Sequence, residues 1–328
     1  KNLEAHQPDW EAISPGTKLK VRNGPLTLLL APVNGVARIV SVRGRKETTL
    51  WHCPRKVFCG EGISFAWAPD GRRVAFTLDE IGGTSPYVGF HVVDLVSGQD
   101  TRVPGGAPRT ASTTDDRAAW KAWFRKMGDR VGKCWPANLA WSPDGARIAY
   151  DCGSRVHVLA LHGSGYTTVP TGSKAYWPTW SPNGTRLAFS TRLSPSKMGE
   201  VYTVALDGSH RRLVATGGVA PAWSPDGRTI AYQTLCGIRL VTPSGRNVTP
   251  RRAGRATDNR CHAMGYSGPP VWSPDGTKLA VETDDGVYVM DQNGRGLHRA
   301  GYQVSRTWYG TLPGRPSWRP LRSRGLGH

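Results

Sequence analysis

The sequence predicts an all-β chain, a six-bladed β-propeller, and three observations carry that reading. A phrase built on Trp-Ser-Pro-Asp-Gly recurs along the 328 residues. Its tryptophans Trp141, Trp180, Trp223, Trp272 and Trp318 stand 39, 43, 49 and 46 residues apart. That interval is the length of one four-stranded propeller blade. The two ends of the chain also each carry half of a blade, so the first and last strands are expected to share one sheet.

One copy, "LAWSPDGARIAY" from Leu139 to Tyr150, shows how the phrase folds. Leu139 and Trp141 alternate with smaller residues, as do Ile148 and Tyr150, which is the two-residue period of a half-buried strand. Between them Pro143 pre-sets φ, Asp144 can accept from backbone two residues on, and Gly145 supplies the positive φ that closes the turn. The Asp is therefore expected to form a turn rather than to catalyse. Copies begin at Phe65, Pro178, Pro221 and Pro270, and a decayed copy, "PSWRP", begins at Pro316. The 74 residues from Trp67 to Trp141 predict an insertion in that unit.

Each period holds more than a hairpin. "RLAFST" is followed by "EVYTVALDG" and "RRLVAT", and "KLAVET" by "GVYVMDQNG". The unit is thus strand A ending in Trp-Ser-Pro, a turn, strand B, a loop, strand C and an Asp-Gly or Asn-Gly turn into strand D. "DQNG" reads as a turn, since the oxygen ligands of a calcium site are not visible around it. At the ends, "PSWRP" offers a strand A with no strand B after it. "LTLLLAP" at 26–32 offers a strand B with no strand A before it, followed by "VARIVSV" and "KETTLW". Joining the two halves would remove the sheet edges. The expected layout is an extension over 1–23, the propeller over 24–320 and a tail over 321–328.

The five Trp-(Ser/Ala)-Pro-(Asp/Asn)-Gly copies resemble PD40 repeats, the WD40-like units of the TolB-type β-propeller family, over about residues 24–320. The resemblance implies a propeller. The α/β domain that precedes it in TolB has no counterpart in these residues.

Composition points to a secreted, bacterial, envelope or periplasmic protein without a membrane span, expected to be a monomer. No apolar run approaches the ~18 residues a spanning helix requires. The chain starts at Lys1 without Met, which fits a processed chain. With 43 Lys and Arg against 24 Asp and Glu, the net charge is +19. Such a charge favours anionic partners: acidic glycans, cell-wall polymers or lipid headgroups, with nucleic acid a less favoured case. A basic solvated surface with no partner is the competing reading.

Six cysteines suggest three disulfides. The strand assignment pairs Cys53 with Cys59, Cys134 with Cys152 and Cys236 with Cys261, all on the face that carries the B-to-C and D-to-A connections. Zinc is the rival, but no Cys-x-x-Cys or His-x₃-His spacing is present, and no metal or cofactor is expected.

That face also receives the insertions. Residues 105–138 contain Thr114 as a helix cap, then Trp120, Trp123, Phe124 and Met127 at helical spacing, an amphipathic helix expected to pack down on the propeller. A second insertion is placed at 245–268, with Arg246, Arg251, Arg252, Arg255 and Arg260, and a third at 299–315. Residues entering successive A strands converge on one axis. They are Trp135, Tyr176, Trp177, Tyr266, Trp308 and Tyr309, with Lys133, Lys174, Arg260, His262 and Arg315 supplying charge. They are expected either to line a binding site at the channel mouth or to plug the channel.

No motif marks an enzyme. "GYSGP" at 265 lacks the following helix of a nucleophile elbow, and no His-Glu-x-x-His is present. His52, His157 and His262 sit alone near strand ends or the decorated face. Glu61, Asp79, Glu80 and Glu200 are acids on or near that face that could serve as a carboxylate pair. The leading expectation is a non-catalytic propeller that binds a protein or an anionic or carbohydrate ligand. A polysaccharide lyase or glycoside hydrolase acting at the channel mouth is the alternative.

Overall fold

A computed structural model describes residues 27–33, 36–41, 47–52, 65–78, 89–94, 100–103, 137–162, 165–191, 199–234, 237–249, 269–283, 286–293, 295–299 and 317–318. Among them there is no helix, and the secondary structure is β-strand throughout. The predicted helix near 114–127, most of the insertions, the N-terminal extension and the C-terminal tail lie outside the described residues.

The described strands form six antiparallel sheets. One contains β1 (Thr27–Val33), β2 (Val36–Ser41), β3 (Glu47–His52) and β23 (Ser317–Trp318). The next runs β4 (Phe65–Trp67), β5 (Arg73–Leu78), β6 (Gly89–Asp94) and β7 (Asp100–Val103). Then come β8 (Ala137–Trp141), β9 (Arg147–Cys152), β10 (Arg155–Ala160) and β11 (Tyr166–Thr168). The fourth is β12 (Tyr176–Trp180), β13 (Arg186–Ser190), β14 (Glu200–Ala205) and β15 (Arg212–Thr216). The fifth has three strands among the described residues, β16 (Val219–Trp223), β17 (Ile230–Thr234) and β18 (Gly237–Val241). The last is β19 (Val271–Trp272), β20 (Lys278–Thr283), β21 (Gly286–Asp291) and β22 (His298–Arg299).

Strand β23 pairs antiparallel with β1, with Trp318 opposite Leu28 and Ser317 opposite Leu29. The first strands of the sheets touch in succession, β4 to β8 to β12 to β16 to β19, and β23 touches both β19 and β4. The sheets therefore stand around an axis with their A strands innermost, the arrangement of a propeller.

The core lies between sheets. Ala66, Ala75 and Val92 of the second sheet meet Leu139, Trp141, Ile148 and Tyr150 of the third. Ala140, Ala149 and Val156 of the third meet Trp180, Leu187 and Phe189 of the fourth. The same layering joins the fourth to the fifth and the fifth to the sixth. This corrects the expectation of half-buried strands. In β9, Ile148, Ala149 and Tyr150 are all buried, because the sheet is covered on both faces. The bulky residues of strand B face one neighbour. The alanine between them leaves room for the incoming Trp of the next sheet, as Ala149 does for Trp180.

Strand A carries a bulge in three successive sheets, between Ala137 and Ala140, Tyr176 and Thr179, and Val219 and Ala222. The first bulged residue has a left-handed backbone, with φ of 53° at Asn138, Trp177 and Ala220. The residue after it is Pro178 or Pro221 in two of them. Proline has no N–H to give a ladder, and a bulge on an innermost edge strand is where a sheet accepts it.

Candidate functional site

The two ends of the channel differ in how their polar groups are spent. At the turn end the Ser and Asp or Asn side chains of the described copies are bonded into the turns themselves. Ser142 donates its hydroxyl to Asp144 at 2.5 Å, and Asp144 Oδ1 accepts the Ala146 N–H at 3.0 Å. Ser142 Oγ accepts the Arg147 N–H at 2.9 Å. Ser181, Ser224 and Ser273 repeat the pattern. In the copy that has Ala68 instead of Ser, Asp70 itself accepts the Arg72 and Arg73 N–H groups. The Asp residues are turn formers, as expected. The Ser142 hydroxyl and the Ala146 amide hold the Asp144 carboxyl below its ordinary range. Ser224 does the same first for Asp226. At Asp70 and Asp275 burial pushes upward, but the turn hydrogen bonds outweigh it and the net shift is again down.

The turns also pack on one another. A Cβ on Gly184 would stand 3.7 Å from Pro143 Cδ, one on Gly227 3.7 Å from Pro182, and one on Gly276 3.7 Å from Pro225. Each proline thus rests on the glycine of the next turn. The repetition of the phrase is explained by contact between copies, and the described Ser and Asp side chains of this end are engaged in the turns.

The other end carries the B-to-C connections. In the third sheet Gly153 and Ser154, with φ of 57° and 66°, form a tight two-residue hairpin between β9 and β10. Ser154 Oγ and Tyr176 Oη lie 2.5 Å apart, hydrogen-bonded across to the next sheet. Trp177 follows Tyr176, with ring centroids 6.1 Å apart and planes tilted by 52°. Both rings are half-buried, Lys174 just ahead of them is exposed, and the strand then turns fully inward at Pro178, Thr179 and Trp180.

Beneath them lies Asp151, 6% exposed at the end of β9. Its Oδ1 accepts the Trp177 N–H at 3.4 Å, and the Asn138 side chain donates to the same carboxyl. Burial outweighs these bonds and raises its pKa to about 7. One sheet on, Ser190 holds the matching place, and its Oγ accepts the Ala220 N–H at 3.1 Å. Asp151 is the functional candidate that sequence reading passed over. Its signal was available: the residue two places after the alanine of strand B is Thr77, Asp151, Ser190, Gln233 and Glu282 in successive copies, polar every time.

Of the predicted site residues, Lys174, Tyr176 and Trp177 are brought together here, with Tyr176 and Trp177 inside β12 rather than ahead of it. Lys133, Trp135, Arg260, His262, Tyr266, Trp308, Tyr309 and Arg315 lie outside the described residues, as do Cys53, Cys59, Cys134, Cys236 and Cys261. Among the described residues no cysteine is free, and Cys152 is disulfide-bonded. Its partner lies outside the described residues.

The expectation for Arg246 needs correcting, while His157 and Glu200 stand close to the B-to-C ends of their strands. His157, two residues into β10, is fully buried. Tyr166 donates to its Nδ1 at 2.6 Å and its Nε2–H reaches the Cys152 carbonyl at 3.3 Å, while burial lowers its pKa. Glu200 opens β14 and accepts the Tyr202 hydroxyl at 2.6 Å. Arg246 does not begin an insertion. Thr242 N–H bonds to its carbonyl at 2.8 Å, and Val248 N–H bonds to Leu240, so residues 242–249 turn back along β18.

Among the described residues no group of three or more His, Cys, Asp and Glu could hold a metal ion, and no helix there is long and apolar enough to cross a membrane. No protein-family model and no curated protein matches the sequence. Solved structures do. TolB from Acinetobacter baumannii is 14% identical with a TM-score of 0.59, over 90% of this chain and 66% of that one. A protein assigned as TolB from Agrobacterium tumefaciens is 18% identical with a TM-score of 0.57, over 85% of this chain and 90% of that one. The chain thus spans slightly under two thirds of the Acinetobacter protein. At such identities the likeness is one of fold, and the fold is that of a TolB-like β-propeller.

Proposed function

We propose that the chain is a six-bladed propeller closed through the sheet of β23, β1, β2 and β3, and that it binds a partner at the mouth carrying the B-to-C and D-to-A connections. The observation that carries this is the Tyr176–Trp177 pair. Two large aromatic rings are left half-buried on innermost strand β12, while the opposite end of the same strands is consumed by turns bonded to themselves. A channel plug would be buried; an aromatic platform that keeps one side open suits stacking on a sugar ring or an apolar side chain. Lys174 beside it and the net charge of +19 favour an anionic glycan, a wall polymer or an acidic protein surface. The remaining residues of this proposed mouth are Lys133, Trp135, Arg260, His262, Tyr266, Trp308, Tyr309 and Arg315.

The disulfide at Cys152 supports an oxidising compartment, secreted or periplasmic, and the pairs Cys53–Cys59, Cys134–Cys152 and Cys236–Cys261 belong to the same proposal. A glycan and polyanion binding array with mass-spectrometric product analysis tests it. Binding without turnover is expected. Cleaved product would replace it with the lyase or glycosidase reading, and no ligand together with full stability of a Trp177→Ala variant would remove the site.

A further inference from the structure

The third and fourth sheets solve one structural problem in two ways. In each, the bulged residue of the next strand A turns its N–H toward the end of strand B and needs an acceptor there. Ser190 supplies a hydroxyl for Ala220, and Asp151 supplies a carboxyl for Trp177. A neutral hydroxyl suffices for the fold, since the Ser190 copy has the same bulge and the same φ of 53°. The carboxyl occurs where the bulged residue is a half-buried tryptophan rather than a buried alanine. Its extra charge therefore serves something other than closing the bulge.

We propose that Asp151 is a positioning residue for the aromatic platform: its ionisation state sets how firmly the Trp177 backbone, and with it the ring, is held at the channel mouth. The proposal rests on the reading of Tyr176 and Trp177 as a binding platform. Ionised, the carboxylate is a strong acceptor for the Trp177 N–H and for the Asn138 amide. Protonated, it has one less acceptor site and a proton of its own to place. Non-glycine residues with a left-handed backbone are held by their surroundings, so a weaker acceptor loosens Trp177 directly. The groups facing the carboxyl are the Asn138 side chain from β8, the Trp177 N–H from β12 and the backbone N–H of Asp151 itself. On β10 its ladder partner is the apolar Val156. Of the two cations four residues away along the chain, Arg155 is exposed and Arg147 is half-buried with its guanidinium over the Trp180 ring; Lys174, ahead of β12, is exposed. His157 lies with Tyr150 and Tyr166 in the cluster against the second sheet. The burial that raises Asp151 to about 7 puts the change near neutrality.

The test is fluorine NMR of the full chain labelled with 5-fluorotryptophan, the Trp177 line being assigned by its loss in Trp177→Phe. Between pH 5 and 9 that line is expected to move in a single-proton step near pH 7, and to stay flat in Asp151→Asn and in Asp151→Ser, which copies the Ser190 arrangement. Asp151→Asn keeps the shape and the acceptor oxygen, and carries the test if the serine variant does not fold. A flat wild-type line, or a step that persists in Asp151→Asn, overturns the proposal. The readout needs no ligand, so the two readings fail separately. A step without any array ligand leaves Asp151 in its role and sinks the binding platform. An array ligand without a step does the reverse.

Discussion

The indole N–H of Trp180 donates to the carbonyl of Ala140 in the preceding sheet at 3.0 Å. Trp141 makes the same bond to Ala66 at 3.0 Å and Trp272 to Ala222 at 3.1 Å. In each pair the acceptor is the alanine just before the preceding copy's own tryptophan. The guanidinium of Arg147, at the start of the preceding strand B, lies over the Trp180 ring at 4.7 Å, and Arg73 lies over Trp141 at 5.1 Å. Trp180→Phe is therefore expected to remove the inter-sheet bond, leaving the Ala140 carbonyl its ladder partner Ala149, and to shrink the filled volume as well. A loss of about 2 to 3 kcal/mol in urea unfolding follows from these two terms. A change below ~0.5 kcal/mol would mean the inter-sheet bond contributes nothing to the seam.

The carboxyls at the two ends of the channel give opposite pH dependences. Asp144 and Asp226 have folded pKa values below the unfolded ~3.9. Their contribution is present above that value and lost as pH falls through the lower folded values. Asp151 runs the other way. Its folded value of about 7 exceeds the unfolded one, so its contribution is full below ~4 and disappears as pH rises through about 7. The stability of wild type relative to Asp151→Asn should fall between pH 4 and pH 7 by an amount on the order of 4 kcal/mol. Parallel melting curves for the two proteins across that range would refute the burial argument.

The repeat made most of this fold legible. Period, turn chemistry and the half-blades at the two ends are local patterns, and β23 does pair with β1. What the repeat concealed is what depends on the neighbouring copy. Alternation in "RIAYDC" suggests one wet face, yet the adjoining sheet covers Ala149 as completely as Tyr150. Asp151 escaped notice because its role lies in the amide of Trp177, 26 residues on, and no spacing rule links them. Tyr176 and Trp177 were singled out as candidates because aromatics ahead of Trp-Ser-Pro stand out against the alanine and valine of the next copy. The even cysteine count led to the expectation of disulfides, and among the described residues no cysteine is free.

Gly217 and Gly218 precede β16 and should respond differently to alanine. At Gly218 a Cβ would stand 2.6 Å from Tyr232 Cε2 and 2.9 Å from the Gln233 carbonyl, both packed in the sheet. At Gly217 nothing lies within 4 Å, and only the φ of 68° opposes a side chain. Gly217→Ala should cost about 1 kcal/mol, the conformational term alone. Gly218→Ala should cost about 3 kcal/mol or more, the overpacking term. Thermal unfolding of the two variants gives the order, and a reversed order would show that the backbone here relaxes freely.

Removing residues 315–328 deletes β23 and exposes the edge of β1 at Leu28 and Leu29. An unpaired strand with the sequence "LTLLLAP" is a template for association. Light scattering should show the truncated chain aggregating, with a large loss of melting temperature. A monodisperse truncated chain as stable as the parent would place ring closure elsewhere.

Trp177→Ala separates platform from plug. Alanine is already the natural residue at this bulge one sheet on, where Ala220 holds the same φ of 53° and the same backbone bond to a strand-B side chain. The backbone therefore accepts the substitution, and only the ring is removed. If the ring fills the channel, its loss should cost about 3 to 5 kcal/mol, as a buried aromatic does. If it is a half-open platform, stability should change by roughly 1 kcal/mol, consistent with the area it leaves exposed. Affinity for the ligand found on the array should then fall by at least tenfold, about 1.4 kcal/mol. Raising the salt concentration should weaken binding in the parent as well, if Lys174 and the other cations of the mouth grip an anion. Loss of stability with unchanged affinity would assign Trp177 to the core and leave the binding surface to be sought among the other connections of that face.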